Sequence, residues 1–83
     1  MTARPFTFRL SVDRAAGSLE RVLGVVRRRN LGIERLSVDA NGEGRWAVAI
    51  QTAAPVAEAD LALRQFAALI DVRTAHLDDA SAT

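Results

Sequence analysis

The chain has 83 residues, of which 49% are hydrophobic and 25% are charged, and its eleven arginines, with no lysine, nearly balance ten acidic residues to give a net charge of +1. This composition excludes a disordered chain, because such chains are poorer in apolar residues and carry more net charge. The balanced charge disfavours nucleic-acid binding, which usually depends on clustered positive charge.

The absence of cysteine limits how a domain of this size can be stabilised. It excludes a disulfide framework and a thiolate metal site, so association with another chain is the expected source of extra stability. No stretch resembles a signal peptide, and none approaches the roughly 20 apolar residues of a membrane span. We therefore expect a cytoplasmic protein without membrane contact.

The first predicted elements are a strand and a helix. Apolar and polar residues alternate over Phe6–Val12, which is typical of a strand with one buried face. The loop Asp13–Ser18 contains a glycine and ends in a serine suited to cap a helix. Apolar residues at helical spacing over Leu19–Val26 predict a helix that ends near Arg29, and Asn30 suits a left-handed cap.

Two further strands are predicted to form a hairpin. The segment Leu31–Ala40 alternates, but its pattern slips by one residue at Glu34–Arg35, which predicts a bulge. The turn Asn41–Gly44 has the Asn-Gly pair that tight turns favour. Alternation over Trp46–Thr52 then predicts the third strand.

The last predicted elements are a second helix and a short strand. Pro55 suits the first turn of a helix, and apolar residues recur at steps of three and four from Ala59 to Ile70. A fourth strand is expected over Val72–His76, followed by a disordered tail at 78–83. The order strand, helix, strand, strand, helix, strand predicts a single α+β domain over residues 1–77, with a ferredoxin-like four-stranded antiparallel sheet and two helices on one face.

No constellation of side chains predicts catalysis. The single histidine, His76, has no obvious nucleophile as a partner, so a structural or solvated role is favoured over a functional one. The carboxylates do not form a recognisable metal-ligand pattern, and the glycines do not form a phosphate-binding loop. We predict no catalytic residue and no bound metal.

The run Arg27–Arg29 has three interpretations. Cations in the last turn of a helix interact favourably with the helix dipole, which is the favoured explanation. Arginine also forms bidentate pairs with carboxylates, so the run could contact an acidic protein surface. Binding of nucleic acid is the third interpretation.

The stretch Gly44–Ile50 faintly resembles an RNA-recognition strand. Such strands stack bases on two or three exposed aromatic side chains, whereas this stretch offers only Trp46, so a core or interface role is favoured for Trp46.

The segment SLERVLGVVRRRNLGIERL, Ser18–Leu36, resembles the ACT domain, and more narrowly the short isozyme II-like regulatory subunit of acetolactate synthase (acetohydroxyacid synthase). The family pattern has a loop, Leu-x-Arg-Val, an arginine-rich helix end and a strand beginning Asn-Ile-Glu-x-Leu. The segment IDVRTAHL, Ile70–Leu77, is similar to the closing strand of that family. The resemblance extends over about residues 6–77 and implies an ACT fold.

The resemblance implies an amino-acid pocket between two protomers. It is formed by the loop after the first strand and by the start of the second strand of the neighbour, where amides at a helix start favour a carboxylate. Arg14 and Gly32 replace asparagines of valine-sensing members, and Ala16 replaces a proline, which implies weak or absent valine feedback. The implied ligand-binding residues are Arg14, Ala15, Ala16, Gly17, Ser18, Asn30, Gly32 and Ile33.

The resemblance also implies a chain that is not itself an enzyme. Such a subunit binds and activates the large catalytic subunit of acetolactate synthase in branched-chain amino-acid biosynthesis. Thiamine diphosphate, Mg and FAD are then expected only in that partner, and a branched-chain amino acid is the implied effector. We also expect a homodimer, since the edge strand near Leu36–Ala40 can pair with a second copy. The candidate contact residues are Arg27, Arg28, Arg35, Leu36 and Val38.

A second hypothesis is a free-standing ACT domain that senses an amino acid or a related small ligand. Its pocket would use Arg14–Ser18 together with Gly32, and Arg14 could pair with the carboxylate of the ligand.

Overall fold

The computed structural model describes residues 2–80, which form six elements around one sheet. The elements are β1 (Arg4–Asp13), α1 (Ser18–Arg28), β2 (Gly32–Ala40), β3 (Arg45–Ala54), α2 (Val56–Ala67) and β4 (Val72–Asp79). The strands are antiparallel and lie in the order β2-β3-β1-β4. This arrangement confirms the predicted ferredoxin-like fold.

The core lies between the sheet and the two helices. Alternate residues of β1 from Phe6 to Val12 are buried, as the period-two pattern predicts. Val22 and Val25 of α1 and Phe66 of α2 cover them. The rings of Phe8 and Phe66 meet edge to face with their centroids 5.1 Å apart, which ties α2 to the centre of the sheet.

The opposite side of the sheet, called here the open face, is not covered by either helix in the described part of the chain. The strand register shows which residues lie side by side across this face. Ser37 lies beside Ala49, Ala49 beside Arg9, and Arg9 beside His76. A shallow trough of about 320 Å³ occupies its centre. The residues that line it are Arg9, Leu10, Ser11, Ser37, Asp39, Ala47, Val48, Ala49, Thr74 and His76.

Local geometry confirms two predicted irregularities. The register of β2 against β3 shifts between Ile33 and Arg35, where the sequence predicts a bulge. Asn30 has a φ of 55° directly after α1, as expected of a left-handed helix end. The Asn41 side chain accepts hydrogen bonds from the backbone N–H groups of Glu43 and Arg45, at 3.0 and 3.3 Å, and so fixes the turn between β2 and β3.

Three predicted element boundaries are corrected. Gly17 and not Ser18 is the N-cap of α1, because the chain turns there through a φ of 80° that glycine adopts most easily. The helix α2 ends at Ala67, so Ile70 lies outside it and is 88% exposed. The chain turns before Ile70 because Leu69 N–H donates to the Phe66 carbonyl at 3.1 Å.

The third correction concerns the predicted tail at 78–83. The strand β4 continues to Asp79, which lies opposite Phe6 in the sheet. Asp78 and Asp79 remain in the strand because they form ion pairs with Arg9 and Arg4 on β1. Residues 81–83 lie outside the described part of the chain.

Candidate functional site

The loop between β1 and α1 is held from two sides. Asp13 N–H donates to the Asp71 carbonyl at 2.7 Å, which ties the end of β1 to the start of β4. The Arg21 guanidinium donates to the Asp71 carboxylate, with Nε at 2.7 Å, and to the Ala16 carbonyl at 3.2 Å. The predicted ligand loop is therefore fastened by a half-exposed arginine and a largely buried carboxylate.

The loop opens α1 with groups suited to a small polar ligand. Gly17 carries the left-handed turn, and Ser18 follows as the first helical residue. The Ser18 hydroxyl is buried and has no hydrogen-bond partner among the described residues. The first N–H groups of a helix also lack partners within the helix and attract negative charge. The Ser18 hydroxyl is thus an unused donor at the start of α1, whereas the Ser18 backbone N–H donates to the Ala15 carbonyl at 3.1 Å.

Arg14 extends from this loop over the only tryptophan of the chain. Its guanidinium carbon lies 4.5 Å from the centroid of the Trp46 ring, a cation–π contact. Its backbone N–H donates to the Gly44 carbonyl at 3.2 Å, so the loop also rests on the turn before β3. Trp46 is partly buried against the core, which supports a core role for it over RNA stacking.

The remaining predicted ligand residues lie at the other end of α1. Asn30, Gly32 and Ile33 follow the C-terminus of the helix, and the hydroxyl of Thr52 donates to the Gly32 carbonyl at 2.6 Å. The helix has 11 residues, and its length is therefore about 16 Å. One chain does not bring its own loop and its own strand start together, so a pocket made of both needs two chains.

The predicted contact residues lie along one edge of the molecule. Every residue of β2 is exposed, and the strand forms an edge of the sheet. Leu36 and Val38 face the helix side but remain 41% and 38% exposed, because α1 does not reach far enough to cover them. A small apolar groove of about 50 Å³ results there. Its lining residues are Leu19, Val22, Leu23, Leu36, Val38 and Val48.

The exposed side of α1 continues from this groove. Leu23 lines the groove and also a depression shared with Glu20, Gly24 and Arg27. Arg27 and Arg28 lie in the last helical turn, where their positive charges interact favourably with the helix dipole, as the sequence predicts. The depression was not predicted, because helical spacing shows which residues share a face but not whether a neighbouring element covers that face.

The sequence predicts the polar residues of the open face but not which of them lie side by side. Its trough holds Arg9 and His76 on one side and Asp39 on the other, with alanines between them. Arg9 forms an ion pair with Asp78 at 2.6 Å. The alternation of each strand gives the polar residues, but the strand order that places them side by side arises only from tertiary pairing.

One further charged cluster lies at the end of the sheet. Asp13 accepts two hydrogen bonds from Arg73 Nε, each 3.0 Å long, and Arg45 Nε lies 3.6 Å from the same carboxylate. The hydrogen bond and the charge of Asp13 raise the pKa of Arg73 above its ordinary value. This cluster is structural, since it joins the ends of β1, β3 and β4.

Two kinds of site are not found in residues 2–80. No group of three or more histidine or acidic side chains is placed to hold a metal ion. Neither of the two helices in this range is long and apolar enough to cross a membrane. The geometry is that of a small α+β domain with a helix-start loop, an uncovered sheet edge and an uncovered sheet face.

The family of the chain follows from comparison with known sequences. The model of the ACT domain matches residues 14–75, which is well over half of the chain, so the chain belongs to the ACT domain family. ACT domains are regulatory and non-catalytic. No curated protein matches the chain significantly.

Solved structures agree with this fold. The ACT domain of GTP pyrophosphokinase from Chlorobium tepidum has a TM-score of 0.83 at 13% identity, over 93% of this chain and 100% of that chain. The C-terminal domain of MgtC from Mycobacterium tuberculosis gives 0.76 at 11% identity, over 93% and 87% of the two chains. Formyltetrahydrofolate deformylase from Burkholderia mallei gives 0.77 at 23% identity, over 94% of this chain and 29% of that one. At such identities the likeness shows the fold alone.

Proposed function

We propose that this ACT domain is a non-catalytic regulatory subunit that forms a homodimer and binds the large, thiamine-diphosphate-dependent subunit of acetolactate synthase, raising its activity. The observation that carries a subunit role is the pair of uncovered surfaces, the β2 edge and the open face. The choice of acetolactate synthase rests on the sequence resemblance at Ser18–Leu36.

The two surfaces suit different partners. The edge of β2 presents free backbone groups and exposed apolar side chains, which fit pairing with a like strand. The open face is broad and polar, with small residues at its centre, and suits the surface of a larger folded partner. In this proposal β2 forms the homodimer, and the open face meets the catalytic subunit.

Acetolactate formation by the cognate catalytic subunit tests the proposal. The rate is measured with and without this chain while valine is titrated. We expect activation and little or no inhibition, because Arg14 and Gly32 replace the asparagines of valine-sensing members. The double substitution R14N/G32N should then introduce inhibition by valine. No activation by the wild-type chain would contradict the proposed role.

A matched pair of variants locates the contact with the catalytic subunit. Ala47→Arg places a long charged side chain in the trough of the open face, where Ala47 is exposed. We expect it to reduce activation at least tenfold at limiting concentration, a loss of roughly 1.4 kcal/mol of binding free energy. Ala57→Arg makes the same change at an exposed position of α2 and should leave activation unchanged. Equal effects of the two variants would exclude the open face.

The second candidate, a free-standing sensor of an amino acid or related ligand, is favoured by the β1–α1 loop. Its buried, unpartnered Ser18 hydroxyl and the Arg14 guanidinium over Trp46 lie at the start of α1. Ligand at 100 times its dissociation constant should stabilise the fold by about 2.7 kcal/mol. A thermal-shift screen of the amino acids tests this, and Trp46 fluorescence reports on the loop. No shift at millimolar ligand would exclude this candidate.

A further inference from the structure

The trough of the open face is bordered by polar side chains that do not bond to one another. Within residues 2–80, the side chains of Ser11, Ser37, Asp39, Thr74 and His76 take part in no hydrogen bond or ion pair. The charged clusters at the two ends of the sheet, in contrast, are held by ion pairs within the chain. The centre of the face is therefore where polar groups stay available to a ligand.

Four hydrogen-bond donors meet on β1 and β4, at one side of the trough. Arg9 lies directly beside His76 in the register, and Ser11 lies directly beside Thr74. Such neighbours on one face have Cβ atoms about 5 Å apart, so the four side chains border one small patch. Within residues 2–80 the Arg9 side chain donates only from Nε, to Asp78 at 2.6 Å, which orients the guanidinium and leaves its terminal nitrogens for a ligand.

The composition of this donor patch indicates the charge of its ligand. A guanidinium, an imidazole and two hydroxyls all donate hydrogen bonds, and a guanidinium binds anions with particular strength. Four donor side chains exceed the needs of the two oxygens of a carboxylate and suit the three terminal oxygens of a phosphate monoester. The patch therefore fits a phosphate group.

The middle of the trough is a flat floor of small side chains. Ala47 and Ala49 of β3 lie beside Ser11 and Arg9 of β1 in the register. Their methyl groups are too short to rise above the sheet, so the planar body of a ligand can lie across them. Trp46 does not contribute, because it packs against the core on the helix side. The floor thus suits one ring system and lacks the exposed aromatic side chains on which RNA-binding sheets stack several bases.

The far side of the trough carries an acceptor. Asp39 of β2 lies beside Ala47 in the register. Adjacent strands are separated by about 4.8 Å, so Asp39 on β2 lies about 10 Å across the sheet from the donors on β1. A carboxylate accepts hydrogen bonds from the exocyclic amino group of a nucleic-acid base. Donors, floor and acceptor therefore follow one another in a line across three strands.

We infer that the trough binds a nucleoside monophosphate whose base carries an exocyclic amino group, as adenine does. The phosphate accepts hydrogen bonds from the patch around Arg9 and His76, the base lies across the alanines, and its amino group donates to Asp39. An extended nucleoside monophosphate has a length close to the distance between these two sides. The trough volume of about 320 Å³ is at the lower end of the roughly 300–1,000 Å³ of small-molecule sites, which fits one nucleotide.

This site goes beyond the proposed function, because it gives the open face a small ligand of its own. It is formed by a single chain and does not include the loop Arg14–Ser18. Every measurement below uses this chain alone, so its outcome is independent of the catalytic subunit. The acetolactate assay, conversely, tests only the proposed function.

The first test compares the nucleotide with its parts. AMP, adenosine and inorganic phosphate are each titrated into the chain at constant ionic strength, and backbone amide shifts are followed by NMR. We expect AMP to bind roughly tenfold more tightly than either part, because only AMP reaches both sides of the trough. The largest shifts should fall on β1, β3 and β4 around the trough. IMP, which has a carbonyl in place of the amino group, should bind roughly fivefold more weakly than AMP.

Substitutions at the two sides of the trough test the orientation of the ligand. Arg9→Gln should weaken AMP roughly tenfold but adenosine by less than about twofold, because it removes a contact to phosphate. Asp39→Asn should bring the affinities for AMP and IMP within about twofold, since an amide both accepts and donates hydrogen bonds. The control Arg64→Gln removes an exposed arginine of α2 and should leave all affinities unchanged.

A neutral substitution tests the floor without altering charge. Ala47→Leu fills the trough at an exposed position and should weaken AMP roughly tenfold. The matched control Ala57→Leu makes the same change on the exposed side of α2 and should have no effect. Equal losses in these two variants would overturn the site.

Three further results would also overturn the inference. The first is the absence of shifts around the trough with AMP at ~10 mM, a concentration that detects binding weaker than about −4 kcal/mol. The second is equal affinity for AMP and inorganic phosphate, which would leave an anion site without recognition of the base. The third is much tighter binding of a short adenine oligonucleotide than of AMP, which would indicate an RNA surface.

Discussion

Arg21 illustrates how a single side chain can hold three segments. Its guanidinium contacts the Asp71 carboxylate before β4 and the Ala16 carbonyl in the loop, while its backbone belongs to α1. The Asp71 side chain is 12% exposed, whereas the Arg21 side chain is about half exposed. A partly buried pair of this kind contributes more than a surface pair, although solvent near the arginine reduces the gain.

Arg21→Ala is predicted to lower the free energy of unfolding by roughly 1–2 kcal/mol, because it leaves the Asp71 carboxylate without its charged partner. Urea denaturation followed by circular dichroism measures this change. The control is Arg64→Ala, which removes an exposed pair with Asp60 on α2 and should cost less than about 0.5 kcal/mol. Equal losses in the two variants would show that the Arg21 contact has no special structural role.

At the scale of the element, α1 begins and ends in residues with left-handed backbone. Gly17 at φ 80° opens the helix, and Asn30 at φ 55° follows its end. Asn30 was identified from sequence because asparagine directly after an arginine-rich helix end is a common cap. The sequence predicts Ser18 as the N-cap, one residue after the observed Gly17, because serine is a common N-cap and the requirement for a positive φ is not visible in composition.

Gly17→Ala is predicted to destabilise the fold by roughly 1–2 kcal/mol, because an L-residue is strained at positive φ. The added Cβ would also lie 3.0 Å from Arg21 Nη1 and press on the contact with Asp71. Gly32→Ala is the matched control, since no atom lies within 4 Å of its added Cβ and its φ is not left-handed. It should be neutral or stabilising by up to about 1 kcal/mol. Thermal unfolding of both variants, measured at one protein concentration, tests the contrast.

Considered as a whole, the molecule is a sheet covered on one side only. The helices bury the inner residues of β1 and β3 but leave the inner side of β2 uncovered. A domain of this size buries a smaller fraction of its surface on folding than a larger domain does, so burial of an uncovered apolar edge by association adds considerably to its stability. The stability of the fold is then expected to depend on protein concentration.

The midpoint of thermal unfolding is predicted to rise with protein concentration, because association stabilises the folded state by mass action. Leu36→Arg should abolish that dependence by placing a charge in the β2 groove, where Leu36 is exposed in the single chain. Val56→Arg, on the exposed side of α2, is the control and should keep the dependence. Calorimetry over roughly a hundredfold range of concentration makes the measurement. A wild-type midpoint independent of concentration would contradict the dimer.

The sequence by itself determined the elements and their order. Alternation over Phe6–Val12 and Trp46–Thr52, helical spacing in α1, and the slip at Glu34–Arg35 each report a local backbone period, and the structure bears them out. The sequence predicts that α2 reaches Ile70, because Ile70 continues the helical spacing, but the helix ends at Ala67 and Ile70 lies beyond it. Spacing records which residues could share a face, and only packing decides where the chain must turn toward the next strand.

The tertiary structure alone decided which surfaces are left for partners. Nothing in the local pattern of β2 shows that α1 stops short of covering Leu36 and Val38, or that Arg9 and His76 lie side by side on the open face. Those facts depend on strand order and register, which join residues far apart in the chain. Local periodicity is a property of neighbouring residues and can be read from them, whereas exposure is a property of the whole packed molecule.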